Sequence, residues 1–339
     1  MDSDNTAYES IDGNLYNKGG VSLVQYAVGK TDTYLEIPNS TTSILASACY
    51  RATNLINVKI PNSVVKIGNS AFFECSNLVS VEMSDNVTSL GTAAFSNCSN
   101  LKNVKIPDKV TSIEMQTFYN CSSLTSIEIP DGVTRIGSQA FYNCSFTSIV
   151  IPEGVMYIND SAFSTCKNLE SVIIPNGVKS IGADAFASCI SLTTIEIPDS
   201  VTSIAYGNNG IFFGCRNLTN IQVSEGNATY QSVDGDLYTK NGKTLLRYAI
   251  GKTATQFTIP EGVETIDKRA FGIATNLTSV VIAENVTAIN FQAFLQVSNL
   301  KNVYYKGTAE EWNAITIGTS NDSLINATRY YYTETQPTK

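Results

Sequence analysis

Short apolar bursts separated by polar turns recur along most of this chain. In Leu124-Thr-Ser-Ile127-Glu-Ile129 the apolar residues alternate with Ser126 and Glu128, the period-two pattern of a strand with one face inward. Pro130 follows, as prolines do at Pro38, Pro61, Pro107, Pro152, Pro175, Pro198 and Pro260, and ends the strand where a missing N–H does least harm. Val133 and Ile136 then return to the interior. Gly137, like Gly68, Gly91 and Gly182, predicts a turn with positive φ, and Ala140-Phe141 predicts a short helical turn. Phe72, Phe95, Phe118, Phe141, Phe163 and Phe186 share one register that continues through Phe212, Phe271 and Phe294. They predict a stacked internal spine, with Cys49 in its place at the first turn.

The leading apolar residue falls at Leu55, Leu78, Leu101, Leu124, Phe146, Leu169, Leu192 and Leu218, and again at Leu277 and Leu300, in steps of 23 apart from one of 22 and one of 26. A fixed step in this range predicts a solenoid in which each repeat buries its apolar face only against its neighbours. Two further segments, Ser10-Ile-Asp-Gly13-Asn-Leu15-Tyr16 and Ser232-Val-Asp-Gly235-Asp-Leu237-Tyr238, align at an offset of 222. They read as hairpin inserts near 8–28 and 230–250, with Gly19-Gly20 and Asn241-Gly242 as turn dipeptides. The expected organisation is one domain over 1–332, closed by a cap at 304–332, with 333–339 as a polar tail.

The string Leu-x-x-Ile-x-Ile-Pro-x-x-Val-x-x-Ile-Gly-x-x-Ala-Phe-x-x-Cys resembles the BspA-like leucine-rich repeat family of bacterial surface and secreted proteins. The resemblance covers nearly the whole chain. It implies a β-rich solenoid: a right-handed leucine-rich repeat array of about twelve turns with a parallel sheet, short helical turns and the two inserts. Tyr304-Tyr305-Lys-Gly307-Thr308-Ala-Glu-Glu311-Trp312 also resembles that family's closing module, and Thr308-x-x-Glu311 reads as a capping box. The function implied is adhesion or recognition in an extracellular or cell-surface setting, with a host matrix protein or a neighbouring-cell protein as ligand. A structural spacer and, less favoured, a glycan-binding module are the alternatives.

Composition narrows the chemistry. The net charge is −8 and the pI about 4.7, so there is no basic footprint for nucleic acid. No apolar run reaches the roughly 18–20 residues of a membrane span. Histidine is absent, which excludes Ser-His-Asp and Cys-His catalysis and every His-containing metal site. Of eight cysteines, the seven from Cys75 onward hold one repeat position where later repeats place Ala274 and Val297. That predicts a small buried apolar slot holding free thiols, although adjacent rungs lie close enough for a disulfide. No cofactor or metal is expected.

Recognition is expected on the outward strand positions, where the column Glu36, Lys59, Glu82, Lys105 and Glu128 alternates in sign and predicts cross-strand ion pairs. Val150 and Ile173 follow as adjacent apolar residues, with Glu196 next and Tyr304 near the end; an apolar patch on a polar sheet marks a candidate interaction site. Tyr206 lies in the insertion Ala205-Tyr-Gly-Asn-Asn-Gly210, which can only loop outward. Glu82 and Glu128 stand two rungs, about 10 Å, apart, loose even for an inverting glycosidase, and Lys105 between them reads as neutralisation. Asp12-Gly-Asn14 and Asp234-Gly-Asp236 lack the remaining ligands of a calcium loop and read as hairpin turns. The sequons at Asn97, Asn120 and Asn143 overlap the cysteine register and read as by-products of the repeat. Because Met1 aligns with Val223 inside a strand, the natural protein is expected to continue upstream; mass spectrometry of the native protein should find a mature start other than this Met.

Overall fold

The computed structural model describes residues 4–205, 207, 210–333 and 336–338. The chain winds as a solenoid of about 13 turns, and each turn offers its backbone to the next on three sides. The longer strands stack in parallel, as Tyr34–Glu36, Asn57–Ile60, Ser80–Met83 and Asn103–Val104 do. This ladder is interrupted across 124–130, where no regular strand forms, and resumes with Ser148–Val150 and Ser171–Ile173. A second parallel ladder is built from two-residue strands such as Arg135–Ile136, Tyr157–Ile158 and Ser180–Ile181, which carry the Val-x-x-Ile segment of each repeat.

The third side differs from the expected helical turn. Gln139 and Asn143 are left-handed, with φ of 57° and 55°, and the same pair of positions recurs along the array, for instance at Gln116 and Asn120. Alternate amides close tight turns, Ala140 N–H donating to Gly137 O at 3.1 Å and Cys144 N–H to Phe141 O at 3.3 Å. The intervening amides point along the axis, Gln139 N–H to Asp160 O, Phe141 N–H to Ala162 O and Asn143 N–H to Ser164 O, at 2.9–3.0 Å. A helix turns all its amides back on itself and would leave the neighbouring rung's carbonyls unpaired.

The glycine expectation is corrected too. Gly68, Gly91, Gly137 and Gly182 are not among the residues with positive φ. They are required because the preceding rung passes close by: a Cβ on Gly137 would lie 2.6 Å from the Glu114 carbonyl carbon, and one on Gly68 2.5 Å from the Ala46 nitrogen.

Inside, the phenylalanines stack as expected. Phe72–Phe95, Phe95–Phe118 and Phe118–Phe141 have centroids 5.3, 5.6 and 5.7 Å apart and planes within 6°. Tyr248 continues the column against Phe271 at 5.3 Å. All eight cysteines are free and buried. Each from Cys75 onward donates its S–H to a carbonyl of the preceding rung, Cys121 to Phe95 O at 3.2 Å and Cys144 to Phe118 O at 3.3 Å.

The inserts are three-stranded antiparallel meanders. Tyr8–Ile11 and Asn14–Asn17 are joined by Asp12-Gly13, and Tyr230–Val233 and Asp236–Thr239 by Asp234-Gly235, all four turn residues having positive φ, the type I′ pattern. Gly19 and Gly242 lie, as expected, in hairpin links, here to the antiparallel third strands Ser22–Gln25 and Thr244–Arg247, which begin new runs of the short ladder. The apolar interior divides in two at the second insert. Arg247 crosses this boundary fully buried, donating to Arg269 O at 2.7 Å, Phe212 O at 3.3 Å and Gly272 O at 3.5 Å; burial lowers its pKa to about 10. Its counterpart at the 222-residue offset is Gln25, whose side-chain amide donates to Tyr26 O at 3.1 Å.

At the C-terminal end Thr308 and Glu311 form the capping box of the helix Ala309–Ala314, and Trp312 packs into the second core. Thr328–Thr333 extends the longer ladder, and 336–338, in the expected tail, pairs antiparallel with it, as an open strand edge favours. Replacing Phe118 with Ala should lower stability by about 3–5 kcal/mol, measured by denaturant unfolding; a loss under 1 kcal/mol would mean that the spine does not carry the core.

Candidate functional site

The outward column of the longer sheet is where the sequence placed recognition. Only part of the expected charge ladder forms. Lys59 Nζ bonds Glu36 at 2.9 Å, but Lys105 reaches past Glu82 and Glu128 to Asp85 at 2.8 Å and Asp108 at 3.4 Å. Those aspartates occupy the position just after the proline site, where they meet a long lysine side chain leaning along the strand edge. Glu82 and Glu128 therefore share no bridging cation, contrary to the neutralisation expected from Lys105 between them.

Val150 and Ile173 pair directly across adjacent parallel strands, and both are 62% exposed. No covering element crosses them. Glu128 is exposed one repeat earlier, in the stretch without regular strand. Glu196 is exposed one repeat later, aligned with Gln222 and accepting a hydrogen bond from Ser224 Oγ at 2.9 Å. The four residues thus form one row on consecutive turns. Tyr304 lies apart, at the far end of the array, half-buried and stacked on Tyr330 at 5.0 Å. Val281, in the same outward column, is buried there. Tyr206 lies outside the described residues.

An acidic row was missed. The position after the proline site holds Asp85, Asp108, Asp131, Glu153, Asp199 and Glu284, all exposed. The signal was available in the repeat register, because this position is Asn or an acid throughout; it went unread because the strand columns drew the attention.

Nucleophilic and metal chemistry find little support. Burial pushes the thiols of Cys75, Cys166 and Cys215 up to about 12, away from the thiolate form that attacks or ligates. Among the described residues no three acid or thiol groups converge on a metal position, and no helix is long and apolar enough to cross a membrane. Asn97, Asn120 and Asn143 have φ of 61°, 57° and 55° and their amides bond along the array at 2.9 and 3.0 Å, which accounts for the sequons structurally: Asn tolerates the left-handed conformation.

One buried acid stands out in the second insert. Asp236 accepts from Ala249 N–H at 2.8 Å and pairs with Lys252 at 2.7 Å, while its second oxygen has no partner. The first insert has Asn14 there, holding Ala27 N–H at 3.1 Å. Burial outweighs the lysine and raises the Asp236 pKa to about 6. A carboxyl whose folded pKa is raised holds its proton more tightly when folded, so its contribution falls as pH rises from about 4 to about 6. Asp236→Asn should therefore flatten the pH dependence of melting temperature across that window and add up to about 3 kcal/mol at pH 7; an unchanged profile would show that Lys252 fully compensates the charge.

The comparisons fit this architecture. A family model described as BspA type leucine rich repeat region, in six copies, matches residues 29–145, 134–233 and 244–320. Among solved structures the chain is similar to a leucine rich cell surface protein of Faecalibacterium prausnitzii A2-165, at 24% identity over 93% of this chain and 99% of that one, with a TM-score of 0.62. It is likewise similar to a leucine-rich repeat protein of Bacteroides ovatus ATCC 8483, at 24% identity over 99% of this chain and 79% of that one, with a TM-score of 0.59. A comparison with curated proteins found no match.

Proposed function

The chain belongs to the BspA-type leucine-rich repeat family, and from that premise we propose that it is a non-catalytic recognition module of a bacterial secreted or cell-surface protein. A protein partner is held on the outward face of the longer sheet. The observation that carries this reading is the exposure of Val150 and Ile173, side by side and 62% exposed each, on a sheet whose other outward positions are mostly polar or charged. Exposed apolar pairs on a rigid polar sheet contribute to binding what they cost in solubility. The absence of histidine and the raised thiol pKa values favour binding over chemistry. The surface location is supported by the family and by the description of the Faecalibacterium protein as a cell surface protein.

The test compares wild type with Val150→Asp, Ile173→Asp on a panel of immobilised extracellular-matrix proteins, bacterial surface proteins and glycans. Both forms should melt alike, since neither side chain is in the core. We expect the double variant to lose at least about tenfold in affinity for a protein ligand, the scale of two truncated interface contacts. Binding that survives the substitution would remove this face from consideration, and no binding by either form would favour a structural spacer.

A further inference from the structure

The charge around Val150 and Ile173 differs from that along the rest of the sheet. Toward the N-terminal end Glu36 is neutralised by Lys59 and Asp85 and Asp108 by Lys105, with Glu82 alone in the column outside these pairs. Toward the C-terminal end Glu261 is paired with Lys306, while the exposed Glu225 and Glu284 stand singly. Between them, Glu128 and Glu196 flank the apolar pair in its own column, Glu170 stands at the start of the Ile173 strand, and Asp131, Glu153 and Asp199 line the strand ends. All six are exposed, and among the described residues none of the six takes part in an ion pair. Rungs about 4.8 Å apart place Glu128 and Glu196 one rung from the apolar pair, inside a Debye length of about 8 Å. The densest group of carboxylates outside ion pairs thus lies around the exposed hydrocarbon.

We propose that the segment bound here is cationic and carries apolar side chains: a Lys- or Arg-rich, extended stretch of a protein, whose apolar side chains cover Val150 and Ile173 while its basic groups meet the acidic rim. The proposal rests on the reading of this face as a protein-recognition surface and names the chemistry of its partner. Apolar burial supplies the affinity, and the six carboxylates supply orientation and faster encounter, because opposite potentials steer association and like charges repel wrong partners. Nucleic acids and acidic glycans are repelled by the same rim. Hydrophobic groups alone would need no such rim, and a polycation alone would need no bare Val and Ile.

The probe is a fluorescein-labelled peptide of alternating Lys and Leu, compared by anisotropy with Lys/Ser and Glu/Leu peptides of equal length. The Lys/Leu peptide should bind, and its affinity should fall about tenfold or more between roughly 50 and 500 mM salt, while the other two stay at least tenfold weaker. Glu128→Gln, Glu196→Gln should weaken binding about tenfold and flatten the salt dependence, and Glu284→Gln, Glu310→Gln, the same loss of charge elsewhere on the array, should change nothing. Equal weakening by both pairs of substitutions would mean a diffuse attraction to an acidic protein and would overturn the proposal, as would equal binding of the Glu/Leu peptide or no binding of the Lys/Leu peptide. On a natural protein ligand the two readings separate. If Val150→Asp, Ile173→Asp abolishes binding but Glu128→Gln, Glu196→Gln and salt leave it intact, the face recognises protein and the cationic partner is wrong. If neither pair of substitutions affects binding, the face itself is wrong.

Discussion

The interior of this molecule follows from one constraint: each turn must offer hydrogen-bonding groups to the next at strand spacing. Two sides meet it as parallel ladders. The third meets it by alternating amides, one closing a tight turn and the next reaching to the following rung, as at Ala140 and Phe141. Only a chain that twice enters the left-handed region can alternate in this way, which is why residues such as Gln139 and Asn143 sit at φ of 57° and 55°. The same spacing sets the rest of the interior. Phenylalanine rings lie nearly parallel at 5.3–5.7 Å because the rungs hold them there, whereas free aromatic pairs also favour edge-to-face contacts. Gly137 is glycine because the preceding rung leaves no room for a Cβ.

The cysteines belong to this scheme as hydrogen-bond donors. A carbonyl on a turn that also accepts the i+3 amide has a second lone pair turned inward, and a thiol from the next rung meets it, as Cys121 meets Phe95 O. Where the array breaks, Phe212 O is met by the buried Arg247 instead. A cation inside an apolar stack is costly unless hydrogen-bonded, and here carbonyls from both sides of the boundary take its donors. In the first insert Gln25 stands at the corresponding position and donates to Tyr26 O. The inserts therefore act as starting modules: each meander ends in a strand that begins a fresh short ladder.

Much of this was legible in the sequence, because a repeat states its core many times over. The register of Val133, Ile136 and Phe141 predicted the short strand and the spine correctly, whereas Leu124-Thr-Ser-Ile127-Glu-Ile129, read as a strand, buries Leu124 and Ile129 without forming a regular one; the inward thiols followed from Ala274 and Val297 in the same slot. The turn side was misread because Ala-Phe looks helical locally, and nothing in one repeat reveals that its amides are needed by its neighbour. The glycines were misread for a related reason: close approach between rungs and positive φ select the same residue. Within the candidate site, Val150, Ile173, Glu128 and Glu196 were placed on one row by register alone. The direction in which Lys105 leans was not, since a flexible side chain chooses among acids that the register places equally near.

That choice shapes the surface. Once the backbone ladders and spine are fixed, the outward positions are free of the core and can carry any side chain, so their differences record something other than folding. Lysines neutralise acids toward both ends of the sheet, and the outward strand positions from Glu128 to Glu196 carry none. A rigid array cannot rearrange to hide such a patch, because each rung is held on three sides by its neighbours. The patch is therefore presented in one fixed geometry, with its charges unpaired and its apolar centre bare, which lowers the conformational cost that a partner must overcome on binding.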